Sequence, residues 1–315
     1  MLTLKPHRKF RLKSKRLPKA NTMTIAAGFP CSDGLVLCAD TQETIIGYAK
    51  VDTQKMTQLK TGLHNLVFTG AGDSGLIDMT IQLMSEALIL KEPHGLLGVE
   101  EVLRESIVEI FNRHLAPWSQ FAEADRPIFP DLLIGLQQSA ATFLYRASGT
   151  TLRRVYEAQC VGTGVVLGRS LIAKLFNSAV SIAHGWLIAL YVLYQAKTWV
   201  DGCGGNSDIL LLSNRDLKIT RIPTADVTEM EQHFADFDVH LRPMFLSAAD
   251  RNISQAQFNE GMKQFSLNML GLRAKFMEFE EFARHLSELT GIAIPTEDAT
   301  SPKPSTIDSS QSQKP

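Results

Sequence analysis

A threonine near the start of the chain could act as a nucleophile under one condition. Thr24 directly follows Met23, and a threonine hydroxyl attacks poorly until a base takes its proton. The α-amino group, with an unperturbed pKa of about 7.7–8.0, can be that base when the threonine begins the mature chain. Removal of an initiator methionine, or self-cleavage after Met23, would free the amine. Taken singly, Thr24 is equally an ordinary strand residue, so its interpretation depends on the sequence around it.

The composition is that of a soluble globular protein. The chain has 315 residues, of which 44% are apolar and 21% charged, which is enough for one large domain with appendages or for two small ones. The four cysteines are far apart and lack metal-binding spacing, so we expect reduced thiols in a cytoplasmic protein and no metal or cofactor. They are Cys31, Cys38, Cys160 and Cys203.

Basic residues are concentrated at the N-terminus. Residues 1–22 contain eight Lys or Arg and no acid, within a chain whose net charge is −1. A basic arm can contact nucleic acid, but no aromatic-basic pattern continues beyond it, so we expect no nucleic-acid partner. We interpret residues 1–23 as a basic leader, which is either a propeptide or sequence upstream of the true start. The most apolar segment, 179–196, is short and interrupted by polar residues, which favours a buried helix over a membrane span.

The pattern of strands and helices predicts a layered α+β fold. Thr24–Phe29 and Leu35–Ala39 flank Asp33-Gly34 and predict a hairpin, and later strands are expected at 63–68, 131–136, 141–145, 153–161 and 208–212. Helices are expected from Asp73 to about 88, and at 98–116, 165–177 and 180–198. This order suits a four-layer αββα sandwich, in which two antiparallel sheets pack face to face and helices cover both outer faces. The sandwich domain is predicted to span 24–222.

The C-terminal region has a different pattern. Apolar residues recur at three- and four-residue spacing between Phe258 and Leu289, after a possible capping box that begins at Ser254. We therefore predict a helical extension over 223–291, as one long helix or two interrupted near Gly271. Its apolar stripe packs either on its own domain or against another chain. Residues 292–315 are rich in Pro, Ser, Thr and Gln, which predicts disorder.

The segment from Thr24 to Asp40 resembles the opening of a proteasome β subunit, a member of the N-terminal-nucleophile (Ntn) hydrolases. That family begins with threonine, has glycine four residues later (Gly28 here), and has Asp-Gly before an apolar strand (Asp33-Gly34). The strand ends in Ala-Asp, and sixteen residues separate the family's threonine from this aspartate, as they separate Thr24 from Asp40.

Four further segments resemble the family in the same order, so that the resemblance covers about residues 24–222. Gln54-Lys55-Met56 resembles the segment of the catalytic lysine, and Phe68–Asp73 resembles the one whose backbone amide forms the oxyanion hole. Val161–Gly164 resembles a Gly-Ser-Gly turn, and Gly202–Gly205 resembles a Ser-Gly-Gly turn. None of these short motifs is specific alone, because each also occurs in ordinary turns.

The resemblance implies a role for each candidate. Thr24 would be the nucleophile, Lys55 would favour the neutral form of its amine, and Asp40 would orient and neutralise the lysine. The Gly70 amide would stabilise the oxyanion, and the Thr163 hydroxyl would replace the family's serine.

The last turn departs from the family pattern. Asp201 lies two residues before Cys203 instead of three before a serine, and a thiol is a weaker hydrogen-bond donor than a hydroxyl. The polar network around the amine is therefore rebuilt or impaired. Cys203 has no histidine near it in the sequence that would make it an independent nucleophile.

The resemblance implies a threonine-type peptidase or amidase that cleaves a polypeptide through an acyl-enzyme. It also implies a ring-shaped homo-oligomer, which could dock an ATP-driven unfoldase. Two alternatives stay open at this stage: a non-catalytic ring or scaffold subunit, and an Ntn amidohydrolase that acts on a small molecule.

Overall fold

Two antiparallel sheets of five strands each dominate the computed structural model, which describes residues 24–45, 49–62, 64–120, 129–215, 218–250 and 252–290. The first sheet has the strand order β10-β1-β2-β11-β12, and the second has the order β5-β6-β7-β8-β9. Strands β3 and β4 pair only with each other among the described residues. The strands are β1 (Ile25–Cys31), β2 (Gly34–Asp40), β3 (Gln42–Ile45), β4 (Ala49–Asp52), β5 (Thr57–Lys60), β6 (His64–Ala71), β7 (Asp131–Gln138), β8 (Ala141–Ser148), β9 (Thr151–Val155), β10 (Gln159–Gly162), β11 (Ser207–Ser213) and β12 (Ile219–Arg221).

Six α-helices lie within the described ranges; two of them contact the second sheet and three contact the first. α1 and α2 pack on each other and contact the second sheet, while α3 and α4 pack on each other and contact the first. The side chain of Asp73 accepts a hydrogen bond from the Leu76 amide, which confirms the predicted start of α1. The helices are α1 (Ser74–Lys91), α2 (Gly95–Ile110), α3 (Val165–Leu175), α4 (Ile182–Trp199), α5 (Thr224–Ser247) and α6 (Gln255–Thr290).

The predicted first hairpin is confirmed, and it fixes where Asp40 lies. β1 and β2 pair antiparallel across the turn Ser32-Asp33, with Cys31 opposite Gly34 and Ala26 opposite Ala39. In this register the last residue of β2, Asp40, returns to the beginning of β1. The Asp33 side chain also accepts a hydrogen bond from the Ile182 amide and so caps the first turn of α4.

The predicted single strand over 153–161 is wrong. The chain bends at Tyr156 and Glu157, and the two halves join different sheets: β9 pairs with β8, and β10 pairs with β1. A run of strand-forming residues does not reveal whether the chain stays in one sheet, because pairing partners are distant in sequence.

Two clusters of buried apolar side chains lie against the second sheet. The first joins the two sheets and includes Leu35 and Leu37 of β2 with Leu133 and Leu144 of the second sheet, all at most 1% exposed. The second joins α1 and α2 to the other face of the second sheet. Its larger members are Leu66, Phe68, Ile81, Met84, Leu88, Val102, Leu103, Ile107, Ile134 and Tyr145.

The C-terminal region contains two helices where the sequence pattern predicted one extension. α5 contacts α4, and this helix had no separate signal in the sequence. The capping box at the start of α6 is confirmed, because the Gln257 side chain accepts from the Ser254 amide at 2.9 Å and the Gln257 amide donates to the Ser254 hydroxyl at 3.3 Å. α6 continues through Gly271 without interruption.

The described residues up to Leu272 belong to one compact unit, and the rest of α6 belongs to a second. In the second unit Lys275 pairs with Glu278 one turn later. None of the helices that the structure describes is long and apolar enough to cross a membrane. The predicted leader (1–23) and disordered tail (292–315) lie outside the described residues, and the boundary predicted after residue 222 stays a prediction.

The packing around the first hairpin allows no side chain at Gly34, whereas Gly62 has room for one. A Cβ atom on Gly34 would lie 2.2 Å from the Leu212 carbonyl oxygen and 2.3 Å from Ile182 Cδ1, whereas one on Gly62 meets no described atom within 4 Å. We expect Gly34→Ala to lower the free energy of unfolding by about 1–3 kcal/mol, because backbone must move to admit the methyl group. Gly62→Ala is the control and should change it by less than about 1 kcal/mol. Urea denaturation measures both, and equal stability of the two variants would contradict the predicted packing at β2.

Candidate active site

The Thr24 hydroxyl lies between an ammonium group and a carboxylate. Thr24 immediately precedes β1 and is 6% exposed. Its hydroxyl donates a hydrogen bond to Asp40 Oδ1 and accepts one from Lys55 Nζ at 2.7 Å. Lys55 reaches this position because the next residue, Met56, is fully buried in the cluster between the sheets. The three candidates, 16 and 31 residues apart in the chain, are therefore in direct contact.

The Lys55 ammonium group has an acceptor for each of its three N–H donors. Besides the Thr24 hydroxyl, it donates to Asp40 Oδ1 at 2.8 Å and to the carbonyl oxygen of Gln42. With all three bonds made, the position of Nζ is fixed by the start of β1, the end of β2 and the start of β3.

Asp40 receives hydrogen bonds at both carboxylate oxygens. Oδ1 accepts from the Thr24 hydroxyl, the Ile25 amide and Lys55, and Oδ2 accepts from the Gly204 amide at 2.9 Å. The Asp40 side chain is fully buried and that of Lys55 is 14% exposed. Burying such a pair costs solvation energy that only good geometry and further hydrogen bonds offset. The hydrogen bonds to both carboxylate oxygens and to all three N–H groups of Lys55 offset this loss of solvation energy.

The turn after β10 holds the backbone of Thr24. The Thr24 backbone nitrogen donates to Thr163 Oγ1 at 3.1 Å, and the Thr163 hydroxyl donates to the Thr24 carbonyl oxygen at 3.3 Å. Gly162 has a φ of 95°, and a Cβ there would lie 2.2 Å from the same carbonyl oxygen. Glycine is therefore required at this point for the turn to approach Thr24.

Gly70 lies near the end of β6, opposite Leu132 of β7. No side chain fits there, because a Cβ would lie 2.6 Å from Leu132 Cδ2 and 2.7 Å from the Asp131 carbonyl oxygen. The end of β6 also comes close to Thr24. A Cβ atom built on Gly162 would lie 2.2 Å from the Thr24 carbonyl oxygen and 3.2 Å from the Ala71 Cβ, so both residues are neighbours of Gly162. The Gly70-Ala71 segment is thus next to the start of β1.

The last two candidates occupy different environments. Cys203 is 5% exposed and hydrogen-bonds with the Thr163 side chain. Burial, followed by the negative charge of Asp40, raises the pKa of its thiol to about 12, so the thiol stays protonated and acts as a hydrogen-bonding group. Asp201 is exposed on the turn and has no hydrogen-bond or ion-pair partner among the described residues. The structure joins five of the seven candidates by hydrogen bonds, brings the segment of Gly70 next to them, and leaves Asp201 outside.

Three backbone groups in the site had no signal in the sequence. The amides of Ile25 and Gly204 donate to Asp40, and the Gln42 carbonyl accepts from Lys55. In the sequence Gly204 is only part of a glycine turn, but its amide contacts a residue 164 positions away. Among the residues that the structure describes, no group of three His, Cys, Asp or Glu side chains could hold a metal ion.

Comparison with known proteins identifies the fold. No protein-family model and no curated protein matches the chain. Three solved structures that match it are Anbu (ancestral beta-subunit) from Yersinia bercovieri, Anbu from Hyphomicrobium sp. strain MC1, and the helical assembly of the Anbu complex from Pseudomonas aeruginosa. Their TM-scores are 0.57, 0.55 and 0.59, at 16%, 14% and 14% sequence identity. The matches cover 74%, 73% and 74% of this chain and 100%, 100% and 99% of the matched chains. At these identities the likeness establishes a proteasome-like α+β fold.

The buried pair predicts strong coupling between Lys55 and Asp40. Lys55→Met or Asp40→Asn should each lower the free energy of unfolding by about 3–5 kcal/mol, because each leaves a buried charge without its partner. The double variant should lose at least about 1 kcal/mol less than the sum of the two. Urea denaturation of the four proteins measures the coupling.

The control for this cycle is the exposed pair Lys91 and Glu105, whose side chains are 53% and 54% exposed. Lys91→Met, Glu105→Gln and their double variant should give a much smaller coupling, because water and salt screen an exposed pair. Equal coupling in the two pairs would contradict the buried geometry of Lys55 and Asp40.

Proposed function

We propose that this protein is an N-terminal-nucleophile hydrolase of the proteasome β-subunit type, a threonine peptidase or amidase that acts on polypeptides. The observation that carries the proposal is the Thr24 hydroxyl, which accepts from Lys55 Nζ at 2.7 Å while it donates to Asp40. A threonine that only contributed to a strand would not need a buried cation and a buried anion on its hydroxyl, since burying both is costly.

In the proposed reaction the α-amine of a mature Thr24 is the base. As the hydroxyl oxygen attacks the carbonyl carbon of the substrate, its proton passes to the amine. The tetrahedral intermediate then expels the leaving amine, which takes that proton, and an ester on Thr24 remains. Water attacks the ester with the same amine as base, the Thr24 oxygen takes the proton back from the amine as the ester bond breaks, and the acid product leaves. The nearby Lys55 cation favours the neutral, basic form of the amine and stabilises negative charge that develops on the hydroxyl oxygen.

The surrounding turns have supporting roles in this proposal. Thr163 holds the Thr24 nitrogen by its side-chain oxygen at 3.1 Å, which orients the base. The Gly70 amide donates to the oxyanion, an interaction whose loss typically costs about 2.7–4 kcal/mol of transition-state stabilisation. Cys203 replaces a serine hydroxyl, and its protonated thiol completes the hydrogen bonds of Thr163.

We further propose that the sheets and helices form the four layers of an αββα sandwich. The apolar cluster between the sheets, α1 and α2 against one sheet, and α3 and α4 against the other support this arrangement. The Pseudomonas aeruginosa protein with this fold forms a helical assembly, which supports self-assembly of this chain. A ring, an ATPase partner and a cytoplasmic location stay predictions.

Replacement of Thr24 tests the function directly. Thr24→Ala should reduce hydrolysis of fluorogenic peptides at least about 10³-fold, because no other group replaces the nucleophile. Thr24→Ser should retain measurable turnover, since it keeps a hydroxyl in the same place. Thr228→Ala, which removes an exposed hydroxyl on α5, is the matched control and should be as active as the wild type. Unchanged turnover in Thr24→Ala would contradict the proposal, and it would favour a non-catalytic role for the site.

A further inference from the structure

The turn that supplies the Gly204 amide to Asp40 is attached to helix α4 by a hydrogen bond. Gly204 donates to Asp40 Oδ2 at 2.9 Å, and the carbonyl oxygen of the next residue, Gly205, accepts from Lys197 Nζ at 3.1 Å. Lys197 lies in the last turn of α4. The cation therefore holds the turn at Gly205, one residue after the glycine whose amide donates to Asp40.

Helix α5 holds Lys197 in turn. Glu231 of α5 forms an ion pair with Lys197 Nζ, with N–O distances of 2.6 and 2.8 Å to its two carboxylate oxygens. The two side chains are only 12% and 18% exposed, so water screens this pair less than an exposed one. The carboxylate thus fixes Lys197 where it can donate to Gly205.

The same carboxylate also contacts the other end of the turn. The Ser207 hydroxyl donates to Glu231 Oε1 at 2.6 Å, and Ser207 lies directly opposite Asp40 in the pairing of β11 with β2. Glu231 is therefore connected to two residues of the segment 204–207: directly to Ser207, and through Lys197 to Gly205. We call these residues, Lys197, Gly205, Ser207 and Glu231, the Glu231 network.

The segment needs such support because of its composition. Gly204 and Gly205 are adjacent, Gly205 has a φ of 71°, and glycine loses more conformational freedom on ordering than any other residue. The Gly204 amide is also the one donor to Asp40 Oδ2 among the described residues. Hydrogen bonds to Thr41 and Gln42 hold the segment from the side of β2 and β3, and the Glu231 network holds it from the side of α4 and α5.

We propose that Glu231 is a positioning residue for the site: through Lys197 and Ser207 it holds the Gly204 amide on Asp40 and so keeps Asp40 in register with Lys55 and Thr24. The catalytic part of this statement rests on the proposed hydrolase function, while the structural part does not. Helix α5, which the sequence pattern assigned to an extension beyond residue 222, would then be required for full activity.

Hydrogen exchange tests the network without any need for turnover. In the full-length protein, Glu231→Gln and the milder Ser207→Ala should each increase the exchange rate of the Gly204 amide at least about tenfold, because a weakened network opens the turn more often. Glu229→Gln makes the same charge change at an exposed position of α5 and should leave that rate unchanged. Ser207→Ala keeps the test decisive if Glu231→Gln folds poorly. Wild-type exchange at Gly204 in Ser207→Ala would overturn the proposal.

Steady-state kinetics tests the consequence for the site. With fluorogenic peptides, Glu231→Gln should lower kcat at least about tenfold with KM within about twofold of the wild-type value, because the site is misaligned but still binds substrate. Lys197→Met should lower kcat to a similar extent. The kcat of the double variant should be no lower than that of the less active single variant. Full kcat despite rapid exchange at Gly204 would overturn the positioning role. If the wild-type protein has no turnover, the proposed function fails, and the exchange experiment still decides whether the network holds the turn.

Discussion

The structure depends on one buried ion pair, between the Lys55 ammonium group and the Asp40 carboxylate, with the Thr24 hydroxyl in contact with both. An ammonium group and a carboxylate leave water only at a high cost, which their attraction and hydrogen bonds must offset. Here the partners come from the start of β1, the end of β2, the start of β3, and the loops before β5 and β11. The pair can exist only when both sheets are in place, so the fold and the candidate chemistry form together.

The same constraint gives helix α5 a role that its position in the sequence does not suggest. The Asp40 carboxylate needs the Gly204 amide, and the turn that carries this amide contacts α4 and α5 through Lys197 and Glu231. Aromatic packing of Phe234 on Tyr191, with ring centroids 5.1 Å apart, holds α5 on α4. The helix thus belongs physically to the site, although the family resemblance ends before it.

Much of the site could be predicted from the sequence because its first part is local. The Asp33-Gly34 turn specifies the hairpin, and the hairpin register brings Asp40 to the start of β1. What could not be predicted comes from contacts between distant segments. The bend that sends β10 to the first sheet, the Gln42 carbonyl and the Gly204 amide acquire their partners only in the folded chain. Neither residue type nor spacing encodes a backbone hydrogen bond across 164 positions.

The mature N-terminus tests the central claim most directly, because the proposed base exists only if the Thr24 nitrogen is an amine. Intact-mass measurement of the purified protein, combined with sequencing of its N-terminal peptide, shows which residue begins the mature chain. The account predicts a chain that begins at Thr24 with a free amine. A protein in which Met23 remains peptide-bonded to Thr24 would contradict it, since the threonine would then have a hydroxyl between two charges but no base of its own.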